Sequence, residues 1–241
     1  MSDWLIPDWP APARVKACVT PREGGARLAP LARPNLGDHV GDDPTAVAEN
    51  RRRLTDPFAI TPAWLQQVHG IVVVEADPTQ VATADASWTA TPGIACTAMT
   101  ADCLPVLFCN RAGTRVAAAH AGWRGLANGV LEATLDSLAV PADEILAWLG
   151  PAIGPQAFEV GPEVREAFIA QLPQAAQAFV ASPNAGKCLA DIYALARLRL
   201  AARGITAVYG GGFCTVTDPR FFSYRRNPRT GRFASLIWIE R

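Results

Sequence analysis

Apolar and polar positions alternate over residues 14–20 (RVKACVT), the period of a half-buried strand. Asp43 followed by Pro44 reads as an N-cap and a first-turn proline, opening a helix to about Leu54. Residues 64–68 and 71–75 are short strand candidates separated only by His69-Gly70, so His69 is expected on a tight connection. Residues 93–99 and 104–108 are apolar strands joined by Thr100-Ala101-Asp102-Cys103. Residues 115–119 form another strand, running into His120-Ala121-Gly122-Trp123-Arg124-Gly125. A helix is expected over 126–138, a strand over 144–149, and a turn over the Gly/Pro-rich residues 150–155. Helices are predicted at 162–171 and 190–203, the second with Asp191 near its start and Gly204 as its stop, and a final strand at 233–239. A Gly/Pro-rich loop separates the first strand from residues 35–41. No repeat, low-complexity run or linker interrupts the pattern, so residues 1–241 read as one integrated α/β domain.

Composition narrows the class. Of 241 residues, 50% are apolar and 18% charged, which favours a compact globule over a disordered chain. Lys plus Arg and Asp plus Glu both number 22. This balance, with basic residues concentrated only at Arg51–Arg53 and in the 225–232 stretch, argues against nucleic acid as a partner. The N-terminal residues lack a basic and apolar leader pattern, and no apolar run approaches the ~18–20 residues of a spanning helix. A cytoplasmic protein without membrane contact is expected, with its six cysteines reduced. There is no CxxC pair; Cys96 and Cys109 read as core, and Cys18, Cys188 and Cys214 as structural.

Only three histidines occur: His39, His69 and His120. His69 and His120 flank glycine-containing turns at strand ends, and Cys103 lies at a similar junction. Their separation in sequence rules out a local finger, but three strand ends meeting at one sheet edge would bring them together. A thiolate and two imidazoles suit zinc and leave a fourth position open, as in catalytic sites. Such an ion can lower the pKa of water to ~7 or polarise a carbonyl or purine. Asp102 is a candidate to hold a ligand imidazole or carry a proton. The competing reading makes each histidine a hydrogen-bonded structural residue and the cysteine part of the core.

Several runs resemble one family: Gln67-Val68-His69-Gly70, Thr100-Ala101-Asp102-Cys103-Leu104-Pro105-Val106, His120-Ala121-Gly122-Trp123-Arg124-Gly125, Gly150-Pro151-Ala152-Ile153-Gly154 and Phe221-Phe222-Ser223-Tyr224-Arg225-Arg226. This is the YfiH family, also named the multicopper polyphenol oxidase (laccase) or DUF152 family, and the likeness extends over about residues 35–239. The resemblance implies an α+β fold of α/β/β/α layers with mixed sheets and a zinc site at His69, Cys103 and His120. It further implies phosphorolysis of adenosine, inosine, guanosine and methylthioadenosine, and hydrolytic deamination of adenosine. One departure is Ser87-Trp88, where an aliphatic pair is more usual. A multicopper oxidase needs about ten histidines, a requirement known from true laccases; three do not suffice. Copper at the single site, with a laccase-like oxidation, remains an alternative to zinc.

For a purine nucleoside and phosphate as substrates, Arg124 in its Gly-flanked turn is a candidate anion or positioning residue. Arg225, Arg226 and Tyr224 form a second candidate group. Asn35 and Gln67 are candidate substrate-binding residues, and His39 a candidate fourth ligand. Two other classes compete: a Cys103–His120 amide hydrolase acting on peptidoglycan precursors, and a metal-stabilised interaction module whose partner surface would involve Trp4 and Trp9. A monomer or weak homodimer is expected.

Overall fold

The computed structural model describes residues 4–22 and 34–241. The Gly/Pro-rich loop expected after the first strand lies largely outside the described residues. Two sheets dominate. The four-stranded sheet runs in the order β1 (Val15–Val19), β15 (Phe233–Ile239), β7 (Ile94–Thr100) and β2 (Thr61–Ala63). The six-stranded sheet runs β14 (Val208–Gly210), β10 (Ile145–Leu149), β8 (Leu104–Asn110), β9 (Val116–Ala121), β6 (Ala86–Thr89) and β4 (Val73–Glu75). Both are mixed: β2 pairs with β7, β14 with β10 and β4 with β6 in parallel, and the remaining pairs are antiparallel.

The central strands are apolar on both faces because each face meets a different layer. Cys96 and Ala98 of β7, Leu107 and Cys109 of β8, and Phe233 and Ile237 of β15 fill the space between the sheets. The alternate residues Val106 and Phe108 of β8 face helices α3 (Val130–Leu138) and α5 (Ile192–Ala202), which contribute Leu131, Leu135, Leu195 and Leu200. On the far side, Ala95 and Met99 of β7 and Leu236 and Trp238 of β15 meet Leu54 of α1 (Pro44–Thr55). The layers are therefore α/β/β/α, as the resemblance implied.

Local chemistry sets several boundaries. The Asp43 carboxylate accepts from the Thr45 N–H at 2.9 Å and caps α1. Asp191 caps α5 through the N–H groups of Tyr193 and Ala194. The helix expected over 126–138 is two helices, α2 (Trp123–Asn128) and α3, because Gly129 between them has φ 105°. Very short strands escaped the sequence pattern: β5 (Ala82–Thr83), β6, and the small sheet of β11 (Glu159–Val160), β13 (Cys188–Ala190) and β12 (Phe179–Ala181). The N-terminal Trp/Pro segment packs on the fold. Leu5 bridges Val19, Trp4 lies 5.1 Å from the Phe58 ring, and Trp9 abuts the inter-sheet core. No helix among the described residues is long and apolar enough to cross a membrane.

Candidate metal centre and its cavity

Ladder register brings the site together. Pro105 pairs with His120 in the β8–β9 ladder, so Cys103, two residues before Pro105, reaches the end of β9. Ala86 pairs with Ala119 on the other side of β9, which places Asp85 next to His120; the His120 N–H donates to the Asp85 carbonyl at 2.7 Å. The Asp85 carboxylate, 1% exposed, accepts from the backbone N–H groups of Val68, His69 and Gly70 at 3.2, 2.9 and 2.6 Å. That grip folds the chain between β3 (Leu65–Gln66) and β4 into a turn with His69 at φ 61° and carries its imidazole onto the same corner. Asp102, at φ 98°, turns the chain from β7 into β8 and presents Cys103. Two non-glycine residues in the left-handed region beside one cluster mark backbone held in place by its surroundings.

One potential donor atom each from His69, Cys103 and His120 lie within 4.8 Å of one another. Cys103 Sγ is 3.7 Å from His69 Nε2, against roughly 3.6 Å for sulfur and nitrogen sharing a tetrahedral zinc. The imidazole centroids are 4.7 Å apart and nearly perpendicular. Asp85 Oδ1 lies 2.8 Å from His120 Nδ1. A carboxylate only accepts, so Nδ1–H donates and Nε2 keeps the lone pair a metal needs. A thiolate and two imidazoles therefore fit a divalent, thiophilic ion. Close approach explains Gly122: a Cβ there would stand 2.6 Å from His69 Cδ2 and 3.1 Å from Cys103 Sγ.

Electrostatics reinforce the pairing. Burial opposes the Cys103 thiolate, yet the neighbouring His120 and His69 bring its pKa down to about 6. Burial also opposes the His120 cation, but Cys103 and Asp85 raise it to about 9. Burial works against the Asp85 carboxylate as well, and its hydrogen bonds still hold it below the usual range. Without metal, this describes a thiolate–imidazolium pair backed by a carboxylate.

The three donors open into a cavity of about 430 Å³, whose apolar walls include Trp123, Phe158 and Tyr224 and whose cations are Arg124, Arg225 and Arg232. Arg124 is exposed and stacks over Trp123 at 4.4 Å. Arg225 lines the wall with its guanidinium bound to the carbonyls of Ala157 and Glu159. Arg226 instead caps carbonyls of Thr215, Val216, Asp218 and Phe221.

Four further candidates take the following places. Asp102 does not orient an imidazole: its oxygens accept from Thr215 Oγ1 and the Arg225 N–H, both at 2.6 Å, and Asp85 holds His120 instead. Asn35 is buried away from the cavity lining, its side chain spent on Gly37, Asp42 and Arg232. Gln67 reaches the wall, but both ends of its amide pair with the Met99 backbone at 2.8 Å. His39 also lines the cavity, yet its Nδ1 lies 3.5 Å from Asp38 and it stands outside the donor cluster. Asp85 and Arg232 are the residues the sequence reading missed. The strand that follows Asp85 is only four residues long, and nothing distinguished Arg232 among the arginines of its loop.

A layered α/β/β/α fold with a thiolate–imidazole cluster at one strand corner defines a candidate metalloenzyme. Residues 16–240 match the family described as multi-copper polyphenol oxidoreductase laccase, and the chain belongs to it. It is 68% identical over 241 residues to a purine nucleoside phosphorylase of Pseudomonas aeruginosa, covering 100% of both chains. It is 54% identical to the purine nucleoside phosphorylase YfiH of Escherichia coli, covering 99% of this chain and 100% of the other. Among solved structures, a Neisseria meningitidis protein of the DUF152 family superposes with a TM-score of 0.96 at 52% identity, covering 100% of both chains. YlmD from Geobacillus stearothermophilus superposes at 0.91 and 30% identity, covering 99% of this chain and 96% of the other.

Proposed function

We propose that this protein is a zinc-dependent purine nucleoside phosphorylase that also deaminates adenosine, working in the cytoplasm on adenosine, inosine, guanosine and methylthioadenosine. The observation that carries the reading is a His69–Cys103–His120 donor set opening into an aromatic- and arginine-lined cavity, in a chain whose relatives bear the phosphorylase name.

When bound, zinc supplies a Lewis acid able to polarise a purine ring atom or a water. The chain's own residues do the rest. Trp123, Phe158 and Tyr224 offer apolar faces for a purine. In phosphorolysis a phosphate oxygen bonds to C1′ as the C1′–N9 bond breaks, and the purine leaves with the bonding pair and takes up a proton. The cavity arginines balance the phosphate charge. In deamination water adds at C6 and ammonia departs. Asp102 lines the cavity and each of its oxygens keeps a lone pair beyond the hydrogen bond it accepts, which supports it as the proton carrier.

Zinc-loaded protein is incubated with adenosine, with and without phosphate, and adenine, inosine and hypoxanthine are separated. Adenine that requires phosphate supports phosphorolysis, and inosine formed without it supports deamination. Absence of all three products removes the purine assignment.

The thiolate–imidazolium pair favours one second reading, a Cys103 nucleophile with His120 as its base, hydrolysing an amide of the peptidoglycan-precursor kind. That reading requires activity after exhaustive chelation, a covalent adduct on Cys103 and tolerance of His69→Ala. The metal reading requires that all three ligand substitutions remove zinc and turnover together.

A further inference from the structure

We infer that Arg232 is the cavity's oxyanion-binding residue and holds the phosphate of the proposed phosphorolysis, an assignment that rests on that reading for the identity of the anion. The three cavity arginines differ in what they have left to give. Arg225 has committed both terminal nitrogens to backbone carbonyls. Arg124 is exposed, with its guanidinium over the half-buried Trp123 indole. Among the described residues, half-buried Arg232 has no carboxylate within ion-pair distance, and its side-chain hydrogen bonds run from Nη1 alone, to the carbonyls of Thr230 and Gly231. Nε and Nη2 remain as donors, a pair matching two oxygens of a phosphate. Arg232 lines the same cavity as His69, Cys103 and His120; burial depresses its cation, and the charges of Cys103, Asp102 and Tyr224 offset part of that.

The surrounding chain is built to hold this arginine. Asn35 Oδ1 accepts from the Arg232 N–H at 2.8 Å and from the Gly37 N–H at 2.9 Å. Its amide donates to the Gly37 carbonyl and to Asp42, so every hydrogen-bonding valence of this fully buried side chain is used. A Cβ on Gly37 would stand 2.8 Å from Arg232 Cγ, so the glycine makes room for the arginine stem. Two segments nearly 200 residues apart thus share one clamp. With its backbone and stem held this way and Nη1 anchored on two carbonyls, the guanidinium presents its two other donors at a half-buried wall to an incoming anion.

The test measures phosphate binding apart from turnover. Line broadening of inorganic phosphate is followed by phosphorus NMR with zinc-loaded wild-type protein, Arg232→Gln and Arg232→Lys, alongside steady-state phosphorolysis at varied phosphate and nucleoside. Broadening in the wild type that disappears in Arg232→Gln is expected, together with a rise in the phosphate KM of roughly ten- to a hundred-fold, the size of a lost charge-assisted pair. The nucleoside KM should move less than about three-fold. Arg232→Lys, which keeps the charge but not the fork, should fall between. If wild-type protein broadens phosphate yet forms no purine product, the anion site stands and the phosphorylase reading fails. Unchanged broadening in folded Arg232→Gln, or none in the wild type, overturns the assignment, and should Arg232→Gln not fold, Arg232→Lys decides by the same criterion.

Discussion

At the scale of single residues, Asp85 joins both halves of the site. One carboxylate fixes the tautomer of His120 and pins the backbone that carries His69. Asp85→Asn keeps the shape but turns one acceptor into a donor facing N–H groups. Zinc affinity should fall roughly 10- to 100-fold, as for other outer-shell carboxylates, measured by competition with a chromophoric chelator; unchanged affinity would remove Asp85 from the account. A second expectation concerns pH. Cys103 is ionised above about 6, whereas burial leaves Cys96 and Cys109 as thiols until about 12. In metal-free protein the iodoacetamide rate at Cys103 should therefore climb as pH rises through about 6, with the other two silent until unfolding. His120 holds its proton up to about 9, so zinc binding between these limits should expel about one proton per chain. Below about 6 the thiol proton must leave too, and affinity should drop more steeply with acid. Indicator-dye titration in weak buffer reads this directly.

Elements come next. The strand-end ligands were legible because glycines beside His69 and His120 marked turns, and because continuous apolar runs marked the strands that meet there. Asp85 was not, since β5 and β6 are only two and four residues long, too short for a period to be read. The clamp on Arg232 was equally hidden: its partner Asn35 is distant in sequence and its geometry depends on an intervening loop. The split between α2 and α3 shows tertiary demand overriding helical pattern, with Gly129 in a conformation that penalises any side chain. Gly129→Ala should cost about 1–3 kcal/mol of stability, seen as a lower denaturation midpoint with ligand binding intact. Gly122→Ala should do the reverse. Its new methyl would displace His69, so zinc occupancy should fall in a protein whose circular dichroism is native; full occupancy would refute the close-packing argument.

On the scale of the whole molecule, three helical and inter-sheet core regions are complete without the site, whose ligands sit at strand ends rather than in the core. Metal removal should lower the melting temperature by mass action, about 2.7 kcal/mol at a hundred-fold excess of zinc over its Kd. Far-ultraviolet circular dichroism should not change. Collapse of secondary structure on chelation would show that the ion builds the fold, as it does in zinc fingers.

Because the thiolate and two imidazoles of Cys103, His69 and His120 suit several thiophilic ions, the choice of guest passes from the polypeptide to its surroundings. Such a donor set admits any thiophilic divalent ion of suitable size, and copper outranks zinc for it. Protein harvested from copper-fed cells should therefore carry copper, while the same chain grown on zinc carries zinc. Elemental content of a preparation then records the growth medium, and activity must be assigned to each metallated form separately.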